Sequence, residues 1–262
     1  MRIVSWNINS IRIRFSNFIN LKDKLDPDVI CLQETKVIDE LFPYQFFIDL
    51  GYIHLKFCGE KSYNGVAIIS KFPLDQIICH KFAHETDCRH ISAIVNGVEL
   101  HNFYVPAGGD EPDRNINPKF DFKLNYLDQM NEWFLKERTR NHKMILVGDL
   151  NVAPLEQDVW SHKQLLNVVS HTPIEVEKLL SLKNGLDWCD THREFVPSNE
   201  KLYSWWSYRN KDWEKSNRGR RLDHIWISQN LRTQLLDARI LREARNWPSP
   251  SDHVPIFIDI VL

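Results

Sequence analysis

The chain has 262 residues, 43% hydrophobic and 26% charged, which is the make-up of a folded globular protein and excludes a disordered tail. Its 33 lysines and arginines nearly cancel its 35 acids, for a net charge of −2; a wholly basic, histone-like surface is excluded, while a local basic stripe is not. Five cysteines without a Cys-x-x-Cys pair suit reduced thiols in a cytoplasm better than a secreted disulfide framework.

No apolar stretch approaches the ~20 residues of a membrane span. Polar residues arrive at once after Met1, unlike the start of a signal peptide. In chain order, Ile3 to Trp6 is a short apolar run ending at Asn7. Phe15, Phe18, Ile19 and Leu25 follow on one helical face. Val29 to Leu32 leads to Glu34; Val66 to Ile69 and Ile91 to Val95 are further β-rich runs, and Phe103 leads to Tyr104. Asn117-Pro118 is a cap followed by proline at the first helical position. It opens a helix carrying Phe120, Leu124, Leu127 and Phe134, with Lys136, Arg138 and Arg140 at its negative end. Met144 to Val147 leads to Asp149 and Asn151. Thr172-Pro173-Ile174-Glu175 has capping-box spacing and starts a helix that stops near Asn184-Gly185. Near the C-terminus the order reverses: Asp223 precedes Ile225 to Ile227, and Asp252-His253 precede Ile256 to Leu262. Met1 to Asn7 and Lys143 to Asp149 scarcely alternate, so both faces of their sheets should be covered. These elements predict an α/β sandwich of sheets covered by helices. No linker or repeat divides it, so residues 1–262 read as a single domain.

The polar residues at the strand ends are four carboxylates (Glu34, Asp149, Asp223, Asp252), two amides (Asn7, Asn151), a phenol (Tyr104) and an imidazole (His253). Taken singly, an Asp or Asn beside a strand is an ordinary turn or cap residue. Eight such residues, each attached to a hydrophobic strand, form a hard-oxygen set suited to Mg²⁺ or Mn²⁺ and not to zinc. Phosphodiester hydrolysis needs such a set: a metal to offset phosphoryl charge, a group to prepare a water, and donors to steady the pentacoordinate state.

Trp6-Asn7-Ile8-Asn9, Leu32-Gln33-Glu34-Thr35-Lys36, Tyr104-Val105-Pro106, Gly148-Asp149-Leu150-Asn151-Val152-Ala153-Pro154, Arg221-Leu222-Asp223-His224 and Ser251-Asp252-His253-Val254-Pro255 together resemble the exonuclease III family of abasic-site endonucleases. The motifs run in that family's order over nearly the whole chain. The resemblance implies a four-layer α/β sandwich, two packed mixed β-sheets flanked by helices. It also implies a Mg²⁺- or Mn²⁺-dependent DNA-repair nuclease acting on double-stranded DNA at abasic sites or 3′ ends; the near-neutral charge suits a monomer, and the cysteine usage a cytoplasmic one. By the same motifs Glu34 is the main metal ligand, with Asn7 beside it. Asp149 orients or deprotonates the attacking water, and Asn151 holds that water or the oxyanion. Asp223 fixes His253, which contacts the phosphate or acts as base. Tyr104 donates to the phosphate or to the leaving oxygen, and Asp252 completes a second metal position. The proton goes to Asp149 or to His253. The nucleophile is water, because no Ser or Cys lies in a nucleophile motif.

For DNA contacts the resemblance implies Asn9, Arg12 and Lys36 at phosphates and the Tyr63-Asn64-Gly65 loop at the minor groove. Between Tyr203 and Arg221 lie Trp205, Trp206, Tyr208 and Trp213 among Arg209, Lys211, Lys215, Arg218, Arg220 and Arg221. Basic residues bind a backbone and aromatics stack on a displaced sugar or base; the plainer reading is a charged loop whose tryptophans anchor in the core. Two positions depart from the family. Ala107 stands where an amide often lies near the phosphate, and Arg220 where a bulky apolar residue usually lines the abasic-sugar pocket. Cys79, His80, His84, Cys88 and His90 cluster as zinc ligands can, but without paired finger spacing, so they read as a loop with scattered thiols. Two rivals remain: an inositol-phosphatase or phospholipid diesterase on the same metal scaffold, and a DNA-binding module without catalysis. The Gly-Asp-Leu-Asn-Val-Ala-Pro form opposes the first and the completeness of the polar set opposes the second.

Overall fold

The computed structural model describes residues 1–82, 87–210 and 212–262. Its strands are β1 (Arg2–Asn7), β2 (Val29–Gln33), β3 (His54–Glu60), β4 (Tyr63–Ser70), β5 (Asp75–Ile78), β6 (His90–Val95), β7 (Val98–Tyr104), β8 (Met144–Asp149), β9 (Cys189–Asp190), β10 (Trp205–Trp206), β11 (Gly219–Arg220), β12 (Asp223–Ile227), β13 (Leu235–Ile240) and β14 (Ile256–Ile260). One six-stranded sheet runs β13-β14-β1-β2-β4-β3 and the other β5-β6-β7-β8-β12-β9. Both follow one plan: a central parallel pair, β1–β2 or β7–β8, with antiparallel strands on either side. A helix crosses between the members of each pair, α1 (Phe15–Leu25) and α3 (Pro118–Glu137) respectively. A crossover helix is what a parallel pair requires.

Ile3, Val29, Cys31, Ile68, Val147 and Ile225 meet in the apolar layer between the sheets. Trp6, Phe18, Leu21 and Phe47 fill the space under α1 and α2 (Tyr44–Asp49). Phe103, Leu127, Met130, Phe134 and Leu179 do so on the other side, under α3. With helices outside both sheets, the four-layer α/β sandwich stands as expected. The layers also share a polar pin: Gln33 Nε2 donates to Asn102 Oδ1 (2.7 Å) and Ser5 Oγ (3.1 Å), and Asn102 Nδ2 donates to the carbonyls of Leu32 and Ala67 (both 2.9 Å). An unpaired amide here would cost ~1–3 kcal/mol, so this pairing fixes the sheets' register just beneath the site.

The helix starts act as read, but α3 ends at Glu137, so of the three bases expected at its negative end only Lys136 lies in the last turn, and Arg138 pairs with Glu99. Asn117 Oδ1 accepts from the Lys119 amide (3.0 Å) at the start of α3. Thr172 and Glu175 form a reciprocal capping box at the start of Pro173–Gly185. The expected face of α1 is displaced: Phe18 and Leu21 are buried, whereas Ile19 is 46% exposed, since one helical step rotates a side chain by about 100°. The last strand stops at Ile260, two residues short of the sequence expectation.

Candidate active site

Chain direction brings the polar residues to one edge. Asn7 and Tyr104 close β1 and β7, Asp149 closes β8, and Asp223 opens β12 directly opposite Asp149. Gly148 makes this approach possible. At φ +144° it lies against β7, and a Cβ there would stand 2.0 Å from the Phe103 carbonyl oxygen. Glu34 and Asn151, just beyond β2 and β8, both adopt φ +53°. The left-handed region is uncommon for Glu, and its use here turns the carboxylate back over the strand ends.

Asn7 Nδ2 bridges the two central acids, donating to Glu34 Oε1 and to Asp149 Oδ2 at 2.9 Å each. Asn151 donates its amide to Asp149 Oδ1 (3.0 Å), and its Nδ2 donates to Asp149 Oδ2 (3.1 Å) and the Val105 carbonyl (2.9 Å). His253 Nδ1 lies 2.8 Å from Asp223 Oδ2, and its Nε2 faces Asp149 Oδ2 at 3.6 Å. The Trp6 indole donates to the His253 carbonyl (3.1 Å) and holds that segment in place. Tyr104 hydrogen-bonds to Glu34, and Lys36 Nζ is 2.8 Å from Glu34 Oε2. Seven of the expected residues (Asn7, Glu34, Tyr104, Asp149, Asn151, Asp223 and His253) therefore form one connected group. Apart from Glu34, all are buried.

Their charges follow from these contacts. Burial pushes the Asp149 carboxyl up to about 7, against the opposing pull of the His253 charge. Burial also works against a charged His253 ring, but Asp223 and Asp149 outweigh it and raise the ring to about 10. Burial opposes ionisation of Glu34 too, yet Lys36 and the Asn7 and Tyr104 hydrogen bonds hold it below the usual carboxylate range. Burial, with Glu34 beside it, raises the Tyr104 phenol and keeps it protonated.

Asp149, Asp223 and His253 offer ligand atoms within 4.8 Å of one another, a group that could hold a metal ion. Asp223 Oδ1 is buried without a hydrogen-bond partner, and the carboxylates of Glu34 and Asp149 add hard oxygens. This donor set fits a hard divalent cation. Asp252 lies beside this group, its oxygens accepting from Asn9 Nδ2 (3.1 Å) and Trp205 Nε1 (2.9 Å).

The group opens into a cavity of about 1030 Å³, walled by Trp160, Leu165, Val169, Trp205, Arg218 and Arg220 among others. Arg220 is held there. Its Nη1 donates to the Val169 carbonyl (2.9 Å) and Ser170 Oγ (2.7 Å), and its guanidinium lies 5.3 Å from the Trp205 ring centroid. Ala107 also lines this cavity. Asn9 links Asp252 to Lys36, whose Nζ donates to Asn9 Oδ1 (2.7 Å). Arg12 is exposed on the neighbouring turn, and Tyr63 is 57% exposed, its hydroxyl accepting from Arg89 Nη2 (3.0 Å). Within the basic-aromatic segment the plainer reading holds for Trp206 and Trp213, which are buried with Tyr203 and Val254. Trp205 and Tyr208 keep exposed area, and Lys211 lies outside the described residues.

Sequence reasoning missed three supports. Ser204 Oγ donates to Asp223 Oδ2 (2.6 Å). Lys123, fully buried, donates to the Asn151 carbonyl (2.7 Å) and pairs with the equally buried Glu175 (2.5 Å). Arg89 lies 4.8 Å from the Tyr104 ring centroid. Only Lys123 left a trace in sequence, as a charge on the buried face of α3. Of the supposed zinc cluster, His84 lies outside the described residues. His80 packs on Phe82 (4.3 Å between centroids), and His90 Nε2 meets His101 Nδ1 at 3.1 Å.

A pair of sheets whose strand ends carry this acid, amide and imidazole group defines a class of metal-assisted phosphoester hydrolases, and sequence comparison agrees. Residues 4–253 match the endonuclease/exonuclease/phosphatase family, and the chain belongs to it. It is 32% identical over 278 residues to exodeoxyribonuclease III of Haemophilus influenzae, covering 99% of each chain. An AP endonuclease from Archaeoglobus fulgidus superposes with a TM-score of 0.92 at 30% identity, and a 3′ phosphatase from Neisseria, solved with a product DNA hairpin, with 0.91 at 29%; each comparison covers 100% of both chains. The exonuclease III-like reading, with its phosphodiester-hydrolase chemistry and its place among DNA-repair nucleases, stands on these likenesses.

Proposed function

We propose that this chain, as one undivided catalytic domain, is a Mg²⁺- or Mn²⁺-dependent cytoplasmic nuclease, working as a monomer on double-stranded DNA. It incises beside abasic sites to leave a 3′-hydroxyl and removes nucleotides or blocking groups from 3′ ends. The observation that carries the reading is the convergence of Asn7, Glu34, Asp149, Asn151, Asp223 and His253 into one connected group, of which Glu34, Asp149, Asn151 and His253 line one cavity.

Glu34, with Asn7 and Asp149 beside it, would hold the divalent ion, which when bound offsets negative charge on the phosphoryl oxygens. Asp149 takes the proton from the attacking water, its carboxylate aimed by the Asn7 and Asn151 hydrogen bonds. His253, held as imidazolium between Asp223 and Asp149, donates to a phosphate oxygen and so is the donor, not the base. Asp223 fixes the ring, and Ser204 fixes Asp223. Asn151 orients Asp149 and the water beside it. Tyr104 remains protonated and donates to the phosphate or leaving oxygen. Asp252, tied to Asn9 and Trp205, braces the wall and would complete a second metal position. Asn9, Arg12, Lys36 and Tyr63 contact the DNA backbone and minor groove, and Trp205 with Arg220 faces the displaced nucleotide.

Arg220 tilts specificity. A cation stacked on Trp205 makes that wall less apolar, which favours anionic 3′ termini over a base-free sugar. The test is a parallel assay of duplexes carrying a stable abasic analogue, a recessed 3′-hydroxyl and a 3′-phosphate. Hydrolysis of all three with Mg²⁺ or Mn²⁺, strongest relative to other family nucleases on the 3′-phosphate, is expected. Turnover of soluble inositol phosphates with none of DNA would refute the proposal.

A further inference from the structure

Two turns beside the cleft carry strained backbone. Asn9 (φ +44°) and Ser10 (φ +83°) lead out of β1, and Ser249 (φ +47°) precedes Pro250, Ser251 and Asp252. Left-handed residues other than glycine persist only where their surroundings hold them. One side chain holds both turns. Arg14, buried at the head of α1, donates through Nη1 to the carbonyls of Asn9 and Ser10. Its Nη2 donates to the Pro250 carbonyl (3.0 Å) and to the Tyr208 hydroxyl (2.9 Å). That hydroxyl in turn donates to the Pro250 carbonyl (2.8 Å), and the Tyr208 ring lies 5.0 Å from the Arg245 guanidinium. Every acceptor of Arg14 here is a carbonyl or a hydroxyl. A guanidinium buried without a carboxylate is costly, and its planar fork suits it to joining several acceptors at once.

Each segment that Arg14 joins carries groups that face the cleft. Asn9 bonds Asp252 and Lys36 through its side chain, and exposed Arg12 lies on the same turn. Arg209 and Asn210, which follow Tyr208, line the cavity, as does Asp252, two residues after Pro250.

We infer that Arg14 is a positioning residue for DNA. It sets the Asn9 turn, the Tyr208 segment and the Pro250 turn at the spacing that grips the duplex, without itself meeting a phosphate. This rests on the proposed function, in which that face meets DNA. Tyr208 is the second member of the clamp. Segments fixed in advance bind more tightly, because less ordering is left for the moment of association.

The test is single-turnover incision of the abasic-analogue duplex in Mg²⁺, titrated with enzyme at several salt concentrations. Arg14→Met should raise the half-saturating concentration ~10-fold, through loss of hydrogen bonds from a charged group, and leave the maximal rate within about threefold of wild type. Its salt slope should match that of wild type, whereas Arg12→Ala, which removes a phosphate contact, should flatten the slope by about one. Tyr208→Phe deletes a single hydroxyl and should raise the half-saturating concentration by about threefold. The double variant should be no weaker than Arg14→Met alone, because both act on one clamp. If Arg14→Met does not fold, Tyr208→Phe decides alone. An unchanged half-saturating concentration makes the clamp merely structural, and a flattened slope in Arg14→Met makes Arg14 a direct phosphate contact. Either result overturns this inference alone as long as Arg12→Ala weakens binding. Absence of incision by wild type overturns the proposed function and this inference with it.

Discussion

On the floor of the cleft, Asn7 and Asp149 end strands buried on both faces, and the Glu34 side chain is locked by contacts from Asn7, Tyr104 and Lys36. The wall across from them is built differently. Arg220 sits on a two-residue strand, and Arg218 in the segment leading into it packs on Trp160 at 4.7 Å. The floor is fixed by sheet register and by buried hydrogen bonds, so its geometry tolerates almost no change. The wall is fixed by a two-stranded pairing of its own and by side-chain contacts, outside the two large sheets, and can vary without disturbing them. On the proposed function, chemistry belongs to the first region and substrate preference to the second.

The largest effect that could break this division is on the floor. Glu34→Gln and Asp149→Asn should each lower kcat on an abasic-analogue duplex by ~10³–10⁴-fold, about 4–5.5 kcal/mol of barrier, with melting temperature little changed. A loss under tenfold would move the chemistry elsewhere. Beneath the floor, Lys123→Met leaves Glu175 buried without its partner, which should cost ~3–5 kcal/mol in urea unfolding. Adding Glu175→Gln should recover part of that loss, and an unchanged midpoint for the single variant would show that this pair does not support Asn151. Asp223→Asn should slow the chemical step by ~10²-fold, because the His253 ring loses its counter-charge; single-turnover rates would show it, with KM nearly unchanged. The smallest effect is on the wall. Arg220→Leu should shift the ratio of abasic incision to 3′-phosphate removal by ~3–10-fold toward the abasic site. An unchanged ratio in paired kcat/KM measurements would remove Arg220 from specificity.

The same contrast explains what could be read from the sequence. All eight strands anticipated from apolar runs occupy interior positions of the two sheets. The edge strands β3, β5, β9 and β13 carry no such signal, because a strand paired on one side need not be continuously apolar: Asp75–Ile78 is exposed throughout. Polar residues at the ends of interior strands carried the floor, since Asn7, Glu34 and Asp149 each follow an unmistakable buried run. The wall and the supports depend on long-range meetings with no local signature. Ser204 reaches Asp223 across 19 residues, and Cys58 reaches Cys88 across 30.

The most direct test of the floor's role is single-turnover incision of the abasic-analogue duplex by Glu34→Gln and Asp149→Asn across a Mg²⁺ titration. Loss of the main metal ligand should be partly recovered in Glu34→Gln as Mg²⁺ rises, while Asp149→Asn, lacking the proton acceptor, should stay slow at every concentration. Equal insensitivity of both variants to Mg²⁺, or rates within tenfold of wild type, would contradict the account.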